Sequence, residues 1–302
     1  MSALIDAVPR SPLRTILNFR DVGETVNILH GSPVLRSGVL FRSAQPSTAS
    51  DEDLAALTDT YKIKSVLDLR TQSELDVAVR ARHNSHITAD FSSLNSTTSS
   101  SPPVDSINVP KTRTYYASLT GRAFQLMLFW RLSWRSMGRL IYNMSTGNRL
   151  AGMAIIGSEA MAPRGLLGLA TDTLSASSAE VKSMFTLLAD PDTYPILAHC
   201  THGKDRTGIT IILLLLLCDI NLDIIKADYM TTERELEPAL DKRLNELRSL
   251  ALPDEFLGCP PGFVPGLAAW LNEQHGGVEG YLEHIGVDNE TIARVKSNLR
   301  KQ

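Results

Sequence analysis

Cys200 and Arg206 are separated by five residues, within His199-Cys200-Thr201-His202-Gly203-Lys204-Asp205-Arg206-Thr207-Gly208. A thiol ionises and attacks electrophiles when cations and backbone N–H groups surround it. A guanidinium six positions on can grip two oxygens of a tetrahedral anion and hold them more tightly as charge builds up. An apolar run, Tyr194 to Ala198, precedes the stretch, and a longer one, Ile209 to Cys218, follows it. That order predicts a strand, a tight loop and a helix start, the geometry in which backbone N–H groups and the helix dipole cradle an oxyanion. The chemistry expected is transfer of a phosphoryl group to and from the Cys200 sulfur.

The other residues of the string each have a part. Thr207 can donate its hydroxyl to the thiolate and help it leave, and Gly203 and Gly208 permit a tight turn and close backbone approach. Thr201 and His202 belong to the loop that would face substrate. Asp205 can protonate the leaving oxygen and then deprotonate the attacking water, although an acid from a separate loop is the alternative. Lys204 supplies a second cation suited to a doubly charged phosphomonoester, against the plainer expectation of a solvated charge. His199 is expected to hydrogen-bond within the loop and orient it rather than titrate. Cys218 lies ~27 Å from Cys200 along the expected helix, too far to pair with it.

The elements that must position these groups follow from periodicity. Residues 14–45 read as short strands and turns: Ile16–Gly23, Val34–Ser37 and Val39–Ser43. Ser50 and Asp53 mark a helix start, with Leu54, Leu57 and Tyr61 on one face. Lys64–Arg70 is a compact apolar strand with charge at its carboxyl end. Alternating strands and helices predict an α/β fold with a central, mostly parallel sheet flanked by helices. Ligands collect at the carboxyl ends of such strands, where Arg42, Asp68, Arg70 and Cys200 would lie. The Arg20–Asp21 and Asp68–Arg70 pairs are expected to hold the surroundings of the site. Serines, threonines and a Pro-Pro pair at 92–108 indicate a linker, and 113–150, 176–189, 222–250 and 262–301 read as helical. A single domain over 1–302 is expected, with the linker and a basic, aromatic helical insertion at about 91–175.

That insertion is unusual in charge. Ser106 to Ser158 contains no Asp or Glu but seven basic residues; with the whole chain at −3, this +7 segment leaves −10 elsewhere. A lid over an anionic site, a solvated basic face above a core-facing aromatic stripe, and contact with anionic membrane are the three expectations.

The bulk composition excludes several classes. Apolar residues make up 43% and charged residues 21%, ordinary for a folded domain. A net charge of −3 gives no ground for nucleic-acid binding. Three cysteines without paired spacing argue for a reducing compartment, and no CxxC or His-x-x-x-His spacing suggests a metal. Met1 to Pro12 has no signal-peptide pattern, and Ile209–Cys218 is too short for a membrane span, so a cytoplasmic location is expected. No cofactor is expected.

The string from His199 to Gly208 resembles the signature of the cysteine-dependent protein tyrosine phosphatases. Its His-Cys-x-x-Gly-Lys-Asp-Arg-Thr-Gly form is similar to the tyrosine/serine phosphatase branch typified by the mycobacterial secreted phosphatase B, which has many fungal members. Asn18–Gly23, Leu40–Ala44, Val66–Arg70, Ala227–Tyr229 and Gly280–Leu282 match blocks of that branch in order, leaving only about 91–175 without counterpart. The resemblance implies a cysteinyl-phosphate intermediate, a helical lid and activity toward phosphotyrosine, phosphoserine/threonine and phosphoinositides. It implies an essential loop aspartate at Asp205 and a basic residue at Lys204. No Trp-Pro-Asp acid loop is present, which strengthens Asp205 as the acid. Alternatives are a phosphatase of an inositol, prenyl or other small-molecule phosphate, and a non-catalytic phosphate-binding module. A sulfurtransferase fits less well, because its loop is typically shorter.

Overall fold

The computed structural model describes residues 2–83 and 108–301. The expected linker at 92–108 falls almost wholly outside them. Five strands form one sheet: β1 (Arg20–Asp21), β2 (Leu40–Ser43), β3 (Ser65–Asp68), β4 (Arg113–Tyr116) and β5 (Ile196–His199), in the order β1-β2-β5-β3-β4. β2, β5, β3 and β4 run parallel, and β1 closes one edge antiparallel to β2. The α/β expectation and the mostly parallel sheet are therefore observed. β2, β3 and β5 are buried at every position, as parallel strands covered on both faces must be.

The register sets up the functional end of the sheet. Ser43 and Asp68 both lie opposite His199, so the carboxyl ends of three strands finish level where the chain enters Cys200. The chain then turns into the helix Asp205–Leu217, which is buried from Thr207 to Leu215. Its apolar side chains join the main core with Leu67, Leu69, Val181, Phe185, Leu267 and Tyr281. This explains a helix that is hydrophobic on all sides: it runs through the core rather than over it. A second core on the other side of the sheet gathers Ile16, Phe19, Phe41, Leu57, Val66 and Leu197.

Several local expectations change. Ile16–Gly23 holds only a two-residue strand, and a helix, Val22–His30, begins at once. The Asp21 side chain caps it by accepting the Glu24 N–H at 3.1 Å, so the expected Arg20–Asp21 pair does not form. Val34–Ser37 is no strand; Leu35 makes a single bridge to Arg300. Residues 113–150 are not uniformly helical. Arg113–Tyr116 is the edge strand β4, because Thr114, Tyr115 and Tyr116 favour extended backbone and an unpaired edge of β3 is there to receive them. The insertion proper follows as the helices Arg122–Trp130, Trp134–Ser145 and Arg149–Ile156. They form a small core of their own, in which Phe124, Leu128, Leu140 and Ile155 pack with Leu169, Leu247 and Phe256. The Ser50 hydroxyl caps its helix as expected, 3.2 Å from the Asp53 N–H. Helices also occupy 178–188, 222–235, 240–249 and most of 263–299.

Candidate active site

Cys200 follows the central strand, and its side chain is buried with a free thiol. From Thr201 to Thr207 no backbone N–H finds an acceptor among the described residues; the first loop-to-helix bond is Gly208 N–H to the Lys204 carbonyl, at 2.8 Å. Backbone donors in a folded interior are normally paired. A run of them left open around a thiol, at a helix N-terminus, is a binding surface for an anion.

The loop owes its shape to residues far away in sequence. Gly203 sits at φ +67, and a Cβ there would lie 2.2 Å from the Ser43 carbonyl oxygen, so only glycine fits. The Gly203 carbonyl accepts from Asn18 Nδ2 at 2.9 Å and Arg42 Nη2 at 2.8 Å. Arg42 and Arg20 share the Asp228 carboxylate, Arg42 Nη1 to Oδ2 at 2.6 Å and Arg20 Nε to Oδ1 at 2.8 Å. Arg20 also donates to Asn18 Oδ1 at 2.5 Å. Burial lowers the Arg42 pKa to about 10, countered by Asp228. Burial alone would raise the Asp228 carboxyl, but the two guanidiniums override it and hold the carboxyl below the usual range. Three of the matching blocks, around Asn18, Arg42 and Asp228, thus converge on one loop carbonyl. Gly208 allows the helix to lie against the Tyr229 ring, whose edge would be 3.0 Å from a Cβ.

Arg206 is mostly buried and held by Glu74, with Nη1 to Oε2 and Nη2 to Oε1 both at 2.6 Å. Thr201 Oγ1 donates to the same carboxylate at 2.5 Å. Burial would raise the Glu74 carboxyl; Arg206 overrides it and holds the carboxyl well below its ordinary value. Burial would lower the Arg206 pKa; Glu74, and then Cys200 and Asp205, raise it. The guanidinium is therefore oriented by its two Nη atoms, while Nε takes no acceptor among the described residues. Thr120 Oγ1, just beyond β4, lies 3.4 Å from Arg206 Nη1. Sequence reasoning missed Glu74 and Thr120. Glu74 had one usable signal: Thr71-Gln-Ser-Glu74 is a capping-box pattern directly after β3, and the Thr71 N–H does donate to Glu74 Oε2 at 2.9 Å.

The remaining loop residues divide. Thr207 is fully buried, and its Oγ1 has no hydrogen-bond partner among the described residues, the state of a hydroxyl available to sulfur or to a bound anion. Asp205 opens the helix with its side chain about half exposed, 3.0 Å from Lys204 Nζ. Lys204 is neither solvated nor free: it is buried, and Nζ donates to the Phe256 and Gly258 carbonyls, both at 3.0 Å. His202 turns its Nε2 to Glu246, 3.2 Å away. His199 is buried, with Nδ1 3.2 Å from the Cys200 carbonyl and Nε2 3.6 Å from Asp68 Oδ2; burial lowers its pKa. Asp68 and Arg70 form the expected pair at 2.6 Å. Arg70 also reaches Gln45 Oε1 and Ser47 Oγ at 2.7 and 2.8 Å.

The family described as the tyrosine phosphatase family matches residues 11–301. A triple specificity protein phosphatase, PtpB, of Mycobacterium tuberculosis is 28% identical over 121 residues, covering 35% of this chain and 44% of the relative. A tyrosine-protein phosphatase of Nostoc commune is 34% identical over 138 residues, covering 42% of this chain and 46% of that protein. The matches thus span under half the length of these curated relatives. Among the described residues, no helix is long and apolar enough to cross a membrane.

Proposed function

The chain belongs to the tyrosine phosphatase family, and from that premise we propose that it hydrolyses phosphomonoesters by double displacement at Cys200. The observation that carries this is the unbonded row of loop N–H groups from Thr201 to Thr207 around a buried thiol, with Arg206 braced beside it. In the first step the Cys200 thiolate forms an S–P bond as the ester P–O bond breaks. Asp205 gives the leaving oxygen its proton. In the second step water attacks phosphorus, Asp205 takes its proton, the S–P bond breaks and the thiolate returns with inorganic phosphate released. Arg206 and the loop amides stabilise the equatorial oxygens in both transition states, and Thr207 Oγ1 serves the departing sulfur.

We assign phosphotyrosine as the first substrate class, with phosphoserine/threonine and phosphoinositides beside it. The triple specificity named for the mycobacterial relative supports the wider range. Lys204 lends it less than its sequence position promised, since its Nζ is engaged by two carbonyls. The test is a Cys200→Ser variant, assayed on phosphotyrosine, phosphoserine, phosphoinositide and prenyl phosphate with EDTA present. Wild-type turnover in EDTA, no turnover in the variant, and retained binding of inorganic phosphate by the variant are expected. Appreciable turnover by Cys200→Ser overturns the mechanism. Wild-type protein that binds phosphate without hydrolysing any ester would be a phosphate-binding module instead.

A further inference from the structure

The helix Trp134–Ser145 carries an apolar stripe, one edge of which packs into the small core while the other stays exposed among the described residues. Trp134, Met137, Leu140, Ile141 and Met144 recur at the spacing of one helical face. Leu140 is buried and Met137 is partly buried against the same core, whereas Trp134 is 85% exposed, and Ile141 and Met144 are exposed with it. Tyr142 on the same helix, and Leu126 and Trp130 on the preceding one, are exposed too. Soluble proteins seldom leave this many large apolar side chains in water without a use for them.

Charge selects the occupant. Ser106–Ser158 contains no Asp or Glu. Arg131 is engaged by Asp172, and Arg139 reaches Glu159 only at 3.9 Å. Arg122 and Arg135 stand exposed at the starts of the two helices. A second copy of the chain packed face to face would set like charges against each other. An anionic bilayer complements both properties: tryptophan and tyrosine sit at headgroup depth, Ile141 and Met144 reach the acyl boundary, and the arginines meet lipid phosphates. We propose that this helix docks the protein flat on the surface of an anionic membrane. The proposal is independent of the phosphatase chemistry.

The experiment is co-sedimentation of the full chain with vesicles of phosphatidylcholine alone, and of phosphatidylcholine with about a third phosphatidylserine. Retention at least ~10-fold stronger on the anionic vesicles is expected, lost at high salt. Trp134→Ser/Ile141→Ser should weaken that retention by ~10-fold or more. Arg122→Glu/Arg135→Glu should abolish the preference for phosphatidylserine. Both variants should melt with the wild type, since the side chains are exposed. With unaltered protein, vesicles of brominated phosphatidylserine should quench tryptophan emission from Trp130 and Trp134. No retention, equal retention on both vesicles, retention indifferent to the substitutions, or absence of quenching overturns the proposal. A lipid-free dimer that Trp134→Ser/Ile141→Ser dissociates does so as well.

Discussion

Arg206 combines two requirements that conflict in most arginines: freedom to meet an anion and a fixed orientation. Glu74 resolves them by accepting from both Nη atoms, which fixes the guanidinium plane. Removing the charge on one side leaves a mostly buried guanidinium with a weaker partner. We expect Glu74→Gln to cost about 3 kcal/mol in thermal or denaturant unfolding. It should also lower kcat by ~10- to 100-fold, with a smaller change in KM, because Arg206 keeps its charge but loses its fixed orientation. Unchanged kcat would show that Arg206 does not need this brace. At this scale a candidate site shows in the sequence where its residues are contiguous: Cys200, Asp205, Arg206 and Thr207 stand out by spacing. Glu74 lies 132 positions from its partner and showed only as a helix cap. Lys204 shows the opposite case. Its neighbours in sequence are loop residues, but its Nζ reaches carbonyls more than fifty positions on, at Phe256 and Gly258.

The loop is shaped by elements that end level rather than by its own residues. Ser43 at the end of β2 leaves no room for a side chain at Gly203, and Asn18 and Arg42 hold the Gly203 carbonyl. We expect Gly203→Ala to destabilise the protein by at least ~1–2 kcal/mol from backbone strain alone, before the clash with the Ser43 carbonyl is counted. Inorganic phosphate binding by calorimetry should fall together with kcat/KM. A fully active Gly203→Ala variant would mean that the loop tolerates a different path. Element order was readable because strand and helix patterns alternate through β2, β3, β5 and the buried helix after Cys200. Two errors share a cause. Val22–His30 follows a strand of only two residues, and β4 opens a stretch otherwise helical. In both places the periodic window was shorter than the element boundary, and tertiary pairing decided the outcome.

Across the whole molecule, acid stability should follow the buried carboxylates. Glu74, Asp68 and Asp228 are each held below the ordinary carboxylate range by neighbouring cations, against burial. The unfolded chain takes up protons in the ordinary range, at about pH 4, while the folded chain resists them until lower pH. Their contribution is therefore complete above ~pH 5 and lost progressively as pH falls toward the depressed values. Melting temperature measured from neutral to acid pH should drop through this window, and Asp228→Asn should flatten the drop while lowering stability at neutral pH. A melting temperature indifferent to pH between ~5 and 3 would contradict these assignments. The charge asymmetry, basic from 106 to 158 and acidic elsewhere, was visible in composition alone. That Trp134, Ile141 and Met144 stay exposed while Leu140 is buried was not, because helical periodicity shows that a face is apolar and not what covers it.

The central claim concerns one covalent bond. Wild-type protein mixed with a phosphotyrosine substrate, quenched in acid within the first turnovers and digested, should yield one phosphorylated peptide, modified on the Cys200 sulfur. The modification should be absent from Cys200→Ser. Turnover with no phosphorylated cysteine, or with the phosphoryl group on another residue, would contradict the account.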